Sequence, residues 1–404
     1  MAGRRGPRGD VIVRCGGGTH WVRIDPARFW QTARCPACRA AVDPTRAGRV
    51  LRWLLLRMAA RGTDVRRITP ALAMLPLAWA ALAVMVAATT ILWRFGDRWW
   101  PATAALYGPR WLVLPPLLLL AALALVTAMR RGSPARRALV PTAAAVGLAL
   151  GPFLGFRFGW RSLLPEGDPD TALRIVTYNV EGGELVAARL DELIRETRAN
   201  ILAFQECGPG FTDSLAARPG WRHHAARRGN PCLLTRFPIE AVDTIPTWEA
   251  GGFGGSGNAV RYRLRTPAGP VTLVNLHLET PRRGLELLRY GGSAGRMEGN
   301  TTVREIGSER VRAWIRDIQG PFVVAGDFNM PVESRIYARY WADLPNAFGT
   351  AGRGFGWTRV LKRFRVRIDH VLTGGGARAR RARLGPDLGS DHLPMVTVIR
   401  LPGS

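Results

Sequence analysis

The sequence predicts an α/β domain preceded by an apolar helical region, and three observations carry that prediction. Residues 71–93, 111–129 and 138–156 contain no charged side chain, although the segments around them are rich in arginine. From residue 171 onward, short apolar runs of strand length alternate with stretches of helical spacing. Those strand-like runs repeatedly end in a carboxylate, an amide or an imidazole: Asn179, Glu206, His277, Asp327 and Asn329, Asp369, Asp391 and His392.

The three uncharged runs come first. The run over 71–93 is long enough to cross a bilayer as a helix, and the runs over 111–129 and 138–156 are read the same way. Arginine placement orients them. The segment between the second and third runs, RRGSPARR over 130–137, carries four arginines, and the N-terminal region is also arginine-rich. The positive-inside rule then puts the N-terminus in the cytoplasm, and three crossings put the α/β domain outside it. The expected organisation is therefore a small module over 1–48, a basic amphipathic linker over 49–70, three membrane spans within 71–156, a linker over 157–171, and a catalytic domain over 172–404. No cleavable signal peptide is read, because the first 50 residues lack an apolar core segment.

The 404 residues include 57 basic and 30 acidic side chains, a formal charge of +27, and every basic residue except Lys362 is arginine. This excess favours phosphate-bearing partners and anionic membrane surfaces. At 47% hydrophobic, the chain also has enough apolar residues for a sizeable core.

In the N-terminal module Cys15, His20, Cys35 and Cys38 follow the pattern C-x4-H-x14-C-x2-C. Two pairs of donors separated by a short loop are what a tetrahedral zinc ion needs, and the stretch resembles a small zinc ribbon. A structural Zn²⁺ is expected there; unligated thiols are the alternative. Cys207 and Cys232 fall on the other side of the membrane in this topology, and their spacing leaves open whether they are thiols or a disulfide.

The distal polar residues point to a functional cluster that can hold a metal ion. Burying so many polar groups for stability alone is costly. Gathered in one cleft, they supply hard oxygen ligands for Mg²⁺ or Mn²⁺ together with two imidazoles. In VVAGDFNMP, residues 323–331, Gly326 allows a close approach at the end of a buried strand, and Asp327 and Asn329 share a side-chain parity.

In their order, YNVEGG, FQE, NLHLE, GDFN, RIDHV and SDH resemble the motifs of the endonuclease/exonuclease/phosphatase superfamily over residues 173 to about 400. The resemblance implies a four-layer sandwich of two mixed β-sheets flanked by helices, and hydrolysis of phosphate esters with a divalent metal. It implies Glu206 as the main metal carboxylate, with Asn179, Glu181 and Asp391 as further metal-site residues. Asp327 is implied as the group that orients or deprotonates water, and Asn329 as a contact to nucleophile and phosphate. His392 and His277 are implied as phosphate contacts, with Asp369 holding His392 in orientation. Arg282 and Arg283, in a glycine-rich polar loop over 280–300, are candidate substrate contacts. The substrate expected is a nucleic acid, a phospholipid or a phosphorylated small molecule, with phosphodiesters favoured. A phospholipid phosphodiesterase, a phosphomonoesterase and a non-catalytic membrane sensor of phosphorylated ligands stay open, because the core residues are shared by many activities.

Overall fold

The structure is a computed structural model. It describes residues 11–14, 21–24, 33–34, 41–42, 65–131, 136–164, 171–226, 230–245, 255, 257–289, 294–361 and 364–403. Cys15, His20, Cys35 and Cys38, and residues 49–64 of the expected amphipathic linker, lie outside these residues. The N-terminal module is represented by two short antiparallel pairs, Val11–Arg14 with Trp21–Ile24 and Ala33–Arg34 with Ala41–Val42.

The chain divides into two compact units, one of residues 1–83 and 116–145, the other of residues 84–115 and 146–404. The apolar helices are α1 (Val65–Phe95), α2 (Trp100–Tyr107), α3 (Leu114–Arg131) and α4 (Leu139–Leu148). Two stretches, Met74–Phe95 with a mean hydropathy of 2.0 and Arg110–Arg130 with 2.4, are long and apolar enough to cross a membrane. Barely a fifth of either is buried within the protein, unlike the core helix of a soluble domain. In the first unit, Met74 and Ala78 pack with Leu120 and Ala138. The third apolar run is shorter than the expected 138–156. Its helical residues are Leu139–Phe153, and the last five form a π-turn containing Pro152. Gly155, at φ 78°, then turns the chain into the short strand Arg157–Phe158.

The second unit contains two mixed β-sheets flanked by helices. Its strands are β1 (Leu173–Gly182), β2 (Ile201–Cys207), β3 (Arg222–Ala226), β4 (Asn230–Thr235), β5 (Ile239–Ile245), β6 (Asn258–Thr266), β7 (Gly269–His277), β8 (Phe322–Asp327), β9 (Asp369–Gly374), β10 (Arg378–Leu384) and β11 (Met395–Arg400). One sheet has the order β10-β11-β1-β2-β4-β3 and the other β5-β6-β7-β8-β9.

Side-chain alternation explains the layering. Ile175 of β1 and Ala203 of β2 join Tyr262, Leu273, Val323 and Val371 in a core shared by both sheets. Their sequence neighbours Val176 and Phe204 face the other way, onto Leu190, Leu193 and Phe211. On the outer side of the second sheet, Val274, Val324 and Leu372 pack with Val311, Ile315 and Trp341. Helix α5 (Leu190–Thr197) covers the first sheet, and α6 (Ala294–Trp314) and α7 (Arg335–Tyr340) belong to the layer on the second. The helical residues ahead of α5 are interrupted at Arg189, whose φ of −114° separates Glu184–Ala188 from α5.

Candidate active site

Strand direction and register bring the polar ends together. Each sheet has one parallel pair among its central strands, β1 with β2 and β7 with β8. Parallel neighbours finish at the same edge, so Asn179 of β1 lies beside Gln205, next to Glu206, and His277 lies opposite Asp327. β9 runs antiparallel to β8, so its first residue, Asp369, faces Asp327. β11 runs antiparallel to β1, which delivers the preceding His392 to the same edge.

The side chains form a continuous polar cluster. Asn179 Nδ2 donates to Glu206 Oε1 at 2.8 Å and to Asp327 Oδ2 at 3.1 Å. His277 Nε2 is 3.5 Å from Glu206 Oε1 and 3.8 Å from Asp327 Oδ2. His392 Nδ1 donates to Asp369 Oδ2 at 2.9 Å, and its Nε2 is 3.8 Å from Asp327 Oδ2. Ser390 stitches this corner together, accepting the His392 N–H and donating to the Asn179 carbonyl.

The remaining expected residues have distinct settings. The Asn329 N–H donates to Asp327 Oδ1 and its Nδ2 to the Leu278 carbonyl, both at 2.8 Å. Glu181 is exposed, and its Oε2 accepts the Asp391 N–H at 3.3 Å. Asp391 Oδ2 accepts from Arg359 at 2.7 Å, while its Oδ1 is 3.6 Å from His392 Nε2. Arg282 and Arg283 are exposed on the helix Arg282–Arg289, facing Glu286 and Glu279 respectively.

Three residues of this site have backbones in the left-handed region, Glu181 at φ 49°, Glu206 at 56° and Asn329 at 51°. Such conformations cost non-glycine residues energy and concentrate at functional positions.

Burial sets the electrostatics. It pushes the Asp327 carboxyl above the usual carboxylate range, and the nearby Asp369 charge pushes the same way, while His392 and His277 oppose them. For His392, burial alone favours the neutral ring. The charges of Asp369 and Asp327 and the hydrogen bond to Asp369 outweigh it, lifting the imidazole to about 9. His392 is therefore cationic at neutral pH. His370, next to Asp369, behaves oppositely: burial, reinforced by Arg367, pulls it down to about 3. Its Nε2 donates to the Met330 carbonyl, and its Nδ1 faces Asn346 Nδ2. Asn346 Oδ1 accepts from Gly349 N–H, which orients that amide and leaves His370 a neutral structural residue.

The donor set fits a divalent cation. Hard carboxylate oxygens are what Mg²⁺ or Mn²⁺ requires, and Glu206 Oε1 and Asp327 Oδ2 meet at the same Asn179 amide; Asp327, Asp369 and His392 also lie within 4.8 Å of one another, but a protonated His392 is a hydrogen-bond donor and not a ligand. Asp369 Oδ1 is buried with no hydrogen-bond partner, whereas Glu206 keeps 43% of its side chain exposed toward solvent.

Several contributing residues carry no motif signal. Arg359 reaches both Asp391 and His392 Nε2, the latter at 3.4 Å, but it is one arginine among many. Thr358 Oγ1 accepts the N–H groups of Ile368 and Asp369, both at 3.1 Å, fixing the start of β9. Beneath the site, Gln205 donates to Asn275 at 2.7 Å, a polar bridge between the two sheets. Cys207, directly after Glu206, is disulfide-bonded to Cys232 on β4, which answers the question their spacing left open.

Solved structures with similarity to this chain include an endonuclease/exonuclease/phosphatase from Bacteroides vulgatus, 18% identical, covering 57% of this chain and 99% of its own, with a TM-score of 0.46. A humanized D. rerio TDP2 is 15% identical, covers 57% and 99%, and has a TM-score of 0.45. D. rerio TDP2 complexed with single-strand DNA product is 16% identical, covers 57% and 100%, and has a TM-score of 0.45. No curated protein matches the sequence. The sequence profile of the endonuclease/exonuclease/phosphatase family matches residues 176–392, more than half of the chain and every motif from Asn179 to His392. The chain belongs to the endonuclease/exonuclease/phosphatase family.

Proposed function

We propose that the protein is a membrane-anchored phosphoesterase that hydrolyses phosphodiester bonds with a divalent metal. The observation that carries this reading is the cationic His392, buried against Asp369 and facing the buried Asp327 across 3.8 Å. A proton donor and a proton acceptor are thereby held side by side at one edge of the two sheets, where a phosphoryl group would meet both.

In this mechanism Asp327, raised in proton affinity by burial, orients a water molecule and takes its proton as the oxygen attacks phosphorus, while the ester P–O bond breaks and the leaving oxygen departs to be protonated by solvent. His392 Nε2 donates to a phosphoryl oxygen as charge builds in the transition state, and Asp369 keeps the ring turned toward it. His277 and Asn329 line the same edge and add donors. Glu206, with Asn179 and Asp327 beside it, would hold Mg²⁺ or Mn²⁺. When bound, the ion neutralises negative charge on the phosphoryl group. The excess of +27 favours phosphate-rich substrates.

The test uses full-length protein in detergent with bis(p-nitrophenyl) phosphate. Turnover should need Mg²⁺ or Mn²⁺, vanish with chelator and exceed that of p-nitrophenyl phosphate. Glu206→Gln should mainly raise the Mg²⁺ concentration for half-maximal rate, because it removes a ligand charge. Binding of phosphorylated ligands without turnover of any phosphate ester would favour a sensor and defeat the enzyme reading.

The two long apolar helices support a place in the membrane, and the Cys207–Cys232 disulfide, a bond suited to an oxidising compartment, supports a catalytic domain outside the cytoplasm; with a cytoplasmic N-terminus that placement requires Leu139–Phe153 as a third crossing. Reporter fusions at the C-terminus should be active only outside the cytoplasm; cytoplasmic activity of the reporter rejects this topology.

A further inference from the structure

We infer that the segment linking the two long apolar helices is a working part of the catalytic site, with Tyr107 and Arg304 acting as positioning residues for Asn329. The inference rests on the phosphoesterase reading above.

Asn329 holds its left-handed backbone at the end of the catalytic strand's GDFN turn. Its carbonyl oxygen accepts the Tyr107 hydroxyl at 3.1 Å and lies 3.4 Å from Arg304 Nη2. Arg304 Nη2 also donates to the Tyr107 oxygen at 2.5 Å. The hydroxyl is therefore an acceptor toward Arg304 and has its own proton directed at Asn329. Burial raises the Tyr107 phenol far above its ordinary value, so it remains a donor throughout the working pH range.

Arg304 is fully buried, and its charge is met by Asp97 Oδ1 at 2.7 Å. The other Asp97 oxygen accepts from Ser334 Oγ. Asp97 itself is locked by a left-handed φ of 65° and by its N–H donating to Thr103 Oγ1. Beside it, Arg110 at the foot of the second apolar stretch pairs with buried Glu333 at 3.4 Å. The loop after the catalytic strand is thus held at Asn329, Glu333 and Ser334 by Tyr107, Arg110 and Asp97.

A buried ion pair is a poor way to gain stability, because desolvation offsets most of the attraction. Its geometry is nevertheless demanding. Here the demand falls on the Asn329 carbonyl, whose anchoring fixes the Cα from which the Asn329 side-chain amide projects. Residues far from any substrate thereby control donors that touch it.

The experiment uses full-length protein, saturating Mg²⁺ and bis(p-nitrophenyl) phosphate as probe. Tyr107→Phe deletes one hydroxyl and should lower kcat by about 3- to 10-fold, the usual worth of one hydrogen bond, with KM unchanged. Arg304→Lys keeps the charge but loses the fork and should also lower kcat, with melting temperature recorded for both. In an Asn329→Ala background, Tyr107→Phe should have no further effect. Wild-type kcat in both single variants, or a kcat loss equally large in the Asn329→Ala background, overturns the inference while leaving the phosphoesterase reading intact. A wild-type protein inactive with Mg²⁺ and Mn²⁺ overturns both.

Discussion

Asp327→Asn and His392→Ala should each lower turnover by about 10²–10⁴-fold, about 3–5 kcal/mol of transition-state stabilisation, without unfolding the protein. Asp327→Asn preserves volume and leaves an oxygen to accept the Asn329 N–H, yet it has no basicity for the attacking water. It also removes a buried charge that burial and Asp369 disfavour, so the melting temperature should stay level or rise. His392→Ala removes the cation that faces Asp327 and leaves the Asp369 carboxylate without its partner. Steady-state kinetics across a Mg²⁺ titration, with circular dichroism as the folding control, will measure both. If both variants match the wild type at saturating metal, acid–base work by these residues is excluded.

Gly326→Ala should be among the most destabilising single substitutions in the domain, by more than about 3 kcal/mol, and should abolish activity with it. Gly326 lies within β8 at φ 148°, paired in parallel register with Leu276. A methyl group built there stands 1.9 Å from the Leu276 carbonyl oxygen, and the neighbour is backbone, not a side chain that can swing away. Relief therefore requires β7 and β8 to separate at the point where His277 and Asp327 face each other. Thermal or urea unfolding of wild type and variant will test this. An alanine variant within about 0.5 kcal/mol of wild type, the ordinary range for an inconsequential surface change, would refute the close-packing argument.

Much of the site could be read from the sequence because its logic is local. A buried strand announces itself by its apolar run, and a polar residue at its end is conspicuous, as Asp327 is after Phe322–Ala325. The parallel pairs then bring those ends together without further information. Other features depend on contacts that leave no periodic trace. Asp97 and Arg304 are 207 residues apart, and neither interrupts a pattern, since an aspartate between two apolar runs reads as ordinary solvent-facing polarity. Arg359 was invisible for a different reason: in a chain with 57 basic residues, one more arginine carries no signal. The third apolar run is a matter of backbone chemistry, with Pro152 and the glycines around it ending the helix before the apolar composition ends.

On the proposed topology, the cross-link beside Glu206 would give the protein a built-in delay. Cys207 follows the proposed metal carboxylate, so the strand end that presents Glu206 is tied to β4 by a covalent bond. In the proposed topology that bond closes only after the domain has left the reducing cytoplasm. On that topology newly made chains would carry the proposed metal site unfastened while still among the cell's own nucleotides and nucleic acids, and would acquire the fastened one on arrival. For production of the protein, the export route becomes part of the chemistry, because material folded in a reducing cytosol would present Glu206 on a strand whose end is held by hydrogen bonds alone.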